Sequence, residues 1–189
     1  MQLQLHLIHI HNITLLEGDD DKISKKIKRA NEALKYYNKL YLIFFKNYKQ
    51  EAYVLGAQSR NDVASVEQNI NTLTSFSTES IKELKSIGSF KGDVSLKSAL
   101  RQIVSFYDSE AKKDFPIITD FYIKKDNFEK LGKIMNSKKK KNITKDDVNK
   151  YNKSVKDFNR VNAKMNLQRK NHIDIWNNSV EKFFDKHTN

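Results

Sequence analysis

Ile23, Ile27, Ala30, Leu34, Tyr37, Tyr41, Phe44 and Tyr48 recur at alternating spacings of four and three residues. A helix of about 3.6 residues per turn places such a series on one side, and the series is useful only if that side packs lengthwise against other helices. It predicts one helix from about Asp21 to Val54. Asp19, Asp20 and Asp21 sit where the helix N-terminus favours negative charge, and Gly56 is the expected stop. A chain of 189 residues with five Gly and one Pro has too few turn formers for a sandwich or a barrel, so the remaining elements must also be few and long.

Three more helices follow from the same pattern. Val63, Val66, Ile70, Leu73, Phe76, Ile81, Leu84 and Ile87 predict a second helix, capped by Asn61 or Asp62 and bent where Ser and Thr cluster in "TSFSTES". At the next corner, Gly88 is expected to form a left-handed cap and Phe90 to fold onto the core. Gly92 supplies a second permissive φ, and Asp93 caps a third helix carrying Leu96, Leu100, Ile103 and Tyr107. Pro116 falls inside the apolar pattern that continues through Ile117, Phe121, Phe128, Leu131 and Met135. It must kink that helix or start a fresh one capped by Asp114 or Phe115. Thr144 and Asp147 make a near capping box for a fourth helix to about Lys186, lined by Val148, Tyr151, Val155, Phe158, Val161, Met165, Ile173, Trp176, Val180 and Phe183.

The expected fold is therefore all-α, an elongated antiparallel up-down four-helix bundle with one helix kinked at Pro116. The bundle forms a single domain over residues 21–187. Residues 1–20 form a separate extended segment or the remnant of a targeting sequence, because Leu3, Leu5 and Leu7, then Ile8 and Ile10, alternate with polar residues in the manner of a strand.

Candidate sites are few. His6, His9 and His11 are the most metal-like group, since His9 and His11 would share a face of a strand. A terminal segment rarely fixes the further ligands that a metal needs, so no metal or other cofactor is expected. Gln168, Arg169 and His172 interrupt the apolar seam of helix four. Such a polar layer usually pairs with carboxylates on facing helices and fixes register. Di-iron chemistry would need Glu-x-x-His pairs, and His172 is preceded at that distance by Arg169. Asp108, Glu110 and Asp120 read as solvated acids of helix three. With no phosphate loop, nucleophile elbow or zinc-protease motif in the sequence, the expected protein is not an enzyme.

The net charge is +12, but only five of the 35 basic residues are Arg. Arg is the residue suited to bidentate phosphate and guanine contacts, so nucleic acid is disfavoured as a partner. Lys138, Lys139, Lys140 and Lys141 form a basic loop that would be its natural anchor. The chain has no Cys, which removes disulfides, thiol catalysis and Cys-based zinc sites. Its densest apolar run, "LYLIFF", falls far short of the ~18 residues needed to span a bilayer, so no transmembrane segment is expected.

"YYNKL", then "FKGDVSLKSALRQIVSFY", then "ITKDDVNKYNKSVKDFN" with Trp176 and Phe183 closing the last helix, together resemble a family of uncharacterised helical surface proteins and lipoproteins of diderm bacteria. The resemblance spans about Lys22 to His187. It implies a helical fold, a place in the cell envelope or periplasm, and a protein partner or cell-envelope component; it carries over no catalytic residue. Members usually bear an export signal or a lipobox cysteine, and this sequence has no Cys, so a cytoplasmic place is expected if Met1 is the true start. The expected function is that of a non-enzymatic structural or interaction module, exported or surface-associated. The alternative is a cytoplasmic binder of nucleic acid or anionic surfaces through its lysines.

Overall fold

The computed structural model describes residues 21–136 and 144–188. The expected strand at the N-terminus, His6, His9 and His11, and the Lys138–Lys141 loop lie outside these residues. The fold is all-α, a four-helix bundle. Helix α1 spans Asp21–Ser59, α2 Val63–Ser86, α3 Ser95–Ser109, α4 Phe115–Asn136 and α5 Lys145–Thr188. A π-helical turn, Glu110–Asp114, joins α3 to α4, so the two act as one long third helix.

Cross-helix pairings set the order up-down-up-down. Tyr36 of α1 meets Phe183 of α5, and Glu51 meets Arg169, so the two helices run antiparallel. Along α5, Arg169 meets Glu110 and Phe158 stacks on Phe121, which makes α3–α4 antiparallel to α5 as well. The α1–α2 corner shares a depression of about 340 Å³ with Tyr122, Lys125 and Glu129 of α4. Past it α4 and α5 continue as a pair, with Phe128 stacked on Tyr151 at 4.3 Å.

The helix ends show which sequence signals the chain uses. Gly56 does not stop α1; the helix runs through it to Ser59. The stop is Asn61, left-handed at φ 54°. Its N–H bonds to the Gln58 carbonyl and the Asp62 N–H to that of Ala57, a Schellman closure with Asn where Gly is commoner. Asp62 then caps α2 by accepting from the Ser65 N–H at 3.1 Å. Helix α2 is one element through the Ser/Thr run, whose Ser77 and Ser80 face inward and are fully buried. Thr144 and Asp147 form the expected reciprocal box, each side chain accepting from the other's backbone N–H.

At the second corner Gly88 is not a left-handed cap, since among the described glycines only Gly92 has a positive φ. The carbonyls just past α2 are satisfied by side chains instead. Lys97 donates to the Ile87 carbonyl at 2.7 Å and Tyr36 to that of Gly88 at 3.1 Å. Lys91 and Gly92, at φ 50° and 82°, make a tight turn closed by two backbone hydrogen bonds between Phe90 and Asp93. Asp93 accepts from the Ser95 N–H at 2.8 Å, as expected of a cap.

Pro116 is accommodated by a widened turn and not by a fresh capped start. A proline cannot donate to the carbonyl four residues back, and its ring collides with it. Here the turn before it widens, so that the Phe115 N–H bonds five residues back to Glu110. The extra residue turns Glu110, Ala111 and Asp114 inward.

Phe44, Tyr107 and Trp176 are buried and Phe158 is half-buried. The seam of α1 needs correction, however. Ile23 and Tyr48 are 54% and 43% exposed, while the side that the bundle covers carries Ala33, Leu40, Ile43, Asn47, Glu51, Val54 and Gln58. Helix α1 thus has two apolar faces over much of its length, and the core covers one of them.

Candidate functional site: a buried polar layer

Two sequence features converge on the middle of the bundle. On α1, counting seven residues from Phe44 gives Glu51 and then Gln58; from Leu40 it gives Asn47. The heptad therefore continues past Phe44 with polar residues, all of them buried. On the third helix, the π turn before Pro116 aims Glu110 at the same level. Arg169 of α5 joins the two carboxylates, its Nε donating to Glu51 and its Nη2 to Glu110 at 2.7 Å. Glu110 is fully enclosed, the Glu51 side chain 5% exposed and that of Arg169 15%.

One guanidinium between two enclosed carboxylates leaves an excess negative charge. Burial, and next the proximity of Glu51, push the Glu110 carboxyl up to about 10. Glu110 therefore holds a proton at neutral pH, which makes the trio electrically neutral and lets its carboxylic acid hydrogen-bond to Glu51. Without that proton, Glu110 Oε2 has no hydrogen-bond partner. Burial also raises the phenol of neighbouring Tyr107 far above its ordinary value.

Around the trio the polar groups pair locally. Arg169 also donates to Asn166 at 3.0 Å, and Lys164 clamps both oxygens of Asp114 at 2.9 and 3.0 Å. Asn47 donates to Ser80 at 2.8 Å, and Ser77 to Asp108 at 3.1 Å. His172 donates from Nδ1 to the Gln168 carbonyl and stacks on Phe106 at 4.3 Å, while Gln168 Oε1 is buried without a partner. Of the layer seen in sequence, Arg169 thus reaches the facing carboxylates, and Gln168 and His172 flank it.

Glu110 is the residue that sequence reasoning placed wrongly. It sits in the core, not on a solvated face, because of the widened turn. Asp108 is half-buried, and Asp120 is exposed and paired with Lys124. The signals were a proline inside an apolar pattern and a heptad that turned polar without ending. Chemically, the enclosed trio can store a proton and set helix register. Among the described residues no group of three or more His, Cys, Asp or Glu side chains could hold a metal ion, and no helix is long and apolar enough to cross a membrane.

A second polar centre closes the opposite end. Asp93 accepts from Lys186 at 2.8 Å and His187 at 3.0 Å while capping α3, and Lys186 with the cap holds its carboxyl well below the usual carboxylate range. Phe90 packs on Tyr36, Phe183 and His187. The corner is a clasp between the second turn of the bundle and the end of α5. Comparison with family models, curated proteins and solved structures returns no match for this chain.

Proposed function

We propose that this chain is a non-enzymatic interaction module, exported or surface-associated, whose bundle holds one helix face out for a partner. The observation that carries this reading is the double-faced α1. One face is consumed by the core, while Leu42, Phe45, Tyr48 and Tyr53 stand 40–67% exposed on the other. A solvated helix has no use for such a stripe, whereas a helix that docks does. The enclosed layer supports the same reading, since its ionisable groups are spent on one another. The surface-protein resemblance of the sequence agrees with it.

The test is fractionation of the source cells with an antibody to the native chain. The expected result is recovery with the envelope, lost on replacing Leu42 and Phe45 together by Ser. Recovery of both forms in the soluble fraction would overturn the reading.

A further inference from the structure

Leu42, Phe45, Lys49 and Tyr53 follow one another three, four and four residues apart, and so lie along one line of α1. The line is apolar at its centre and basic at its edge. Lys28, Lys35, Lys39 and Lys46 run beside it, seven, four and seven residues apart. Between Lys22 and Tyr53 the only acids are Glu32 and Glu51. Glu51 is inside the core, and Glu32 is paired with Lys91 at 2.9 Å. Lys46 is bound to Glu79 of α2. That leaves Lys39 and Lys49 exposed, with no ion pair among the described residues, while exposed Lys35 lies beside the Glu32–Lys91 pair.

We propose that this outer face of α1 docks on a bilayer surface rich in anionic phospholipid, with Leu42, Phe45 and Tyr53 entering the headgroup boundary and the lysines meeting the phosphates. The proposal rests on the reading of α1 as the interaction face, and names its partner. Three features select this occupant. The face is the outside of a single helix and convex, so it has no groove for a peptide, whereas an interface-lying helix needs none. A second copy packed along the same stripe would set lysines against lysines, because the acids of α1 itself over this length are Glu51, which is enclosed, and Glu32, which is paired. Single-stranded nucleic acid would need free ring faces, yet Phe45 already stacks on Tyr41 at 5.8 Å and Lys49 lies 6.0 Å and 5.7 Å from the Phe45 and Tyr53 ring centres. A lysine beside apolar residues can bury its stem while its charge stays at the headgroups.

The experiment is co-sedimentation of the full chain with vesicles of phosphatidylcholine alone, or of phosphatidylcholine with phosphatidylglycerol, at about 0.1 M salt, where screening acts over about 10 Å. Binding is expected only to the second kind. Each lysine at such a surface is worth about fivefold in affinity, so Lys39→Gln with Lys49→Gln should weaken binding about 25-fold. Leu42→Ser with Phe45→Ser should weaken it at least as much, and neither pair should change the helical melting curve. Equal binding to both vesicles, no binding, or binding that ignores both pairs overturns the lipid proposal. Sedimentation velocity of the same proteins, alone and with single-stranded DNA, separates the two levels of the argument. Self-association or DNA binding that is lost in the Leu42/Phe45 variant overturns the lipid partner and keeps the interaction face. No face-dependent binding in any arm overturns both.

Discussion

The two ends of the α1–α5 contact are built from opposite materials. Near the α2–α3 corner, Tyr37 and Phe44 each stack on Trp176, with Phe44 and Trp176 ring centres 4.6 Å apart, and Phe183 packs against Tyr36 and Phe90. Two turns further along α1, Glu51 meets Arg169, and Glu110 completes the trio. The aromatic end gains from burial in almost any rotation of the helices that keeps the rings covered. The polar layer is satisfied only when α1, the π turn and α5 arrive at one register, since any slip strands a charge. The first supplies stability, and the second penalises the alternatives.

The comparison breaks most visibly at Arg169. Arg169→Met should cost about 3–5 kcal/mol, because it leaves the enclosed Glu51 carboxylate without its counter-charge and Glu110 without its donor. Chemical denaturation measures this. Replacing Glu51, Glu110 and Arg169 together by apolar residues should restore at least wild-type stability, because the desolvation of three polar groups is then avoided. A triple variant as unstable as the single one would show that the layer contributes stability and not register.

At the aromatic end Trp176→Ala should cost about 3–4 kcal/mol through the cavity it leaves, with no new dependence on pH. Asp93→Ala should cost about 2 kcal/mol, at the upper end for a cap because Lys186 and His187 lose their acceptor too. The Asp93 carboxyl is depressed in the fold, so its contribution is present above the ordinary aspartate range and fades as pH falls below it. Acid melting curves of wild type and variant should therefore converge. Gly92→Ala should cost about 1 kcal/mol through φ alone, since an added Cβ there meets no atom within 4 Å.

The smallest effect at neutral pH sharpens the contrast best. Glu110→Gln keeps the shape of a protonated acid, and should change stability by less than about 1 kcal/mol at pH 7. Its signature is the pH profile. The raised carboxyl means that the folded chain binds more protons than the unfolded one between the ordinary value of 4.5 and about 10, so wild-type stability falls as pH rises through that window. The Gln variant should lose that slope, and a slope unchanged by the substitution would place the proton elsewhere.

Much of this was legible in the residues themselves. Long amphipathic periods with few Gly and Pro imposed four long helices, because a period of 3.6 can be buried only by neighbouring helices. Asp62, Asp93, and Thr144 with Asp147 announced helix starts, since their hydrogen bonds are local and reach two or three residues. Arg169 was visible as a polar break in the seam of α5. What tertiary structure decided was which face of α1 turns inward, for both faces are apolar and only the shape of α2, α3 and α5 discriminates between them. It also decided the fate of Glu110. Its burial depends on a widened turn ahead of Pro116 and on a guanidinium 59 residues away, and no local pattern encodes a partnership that exists only once the helices have packed.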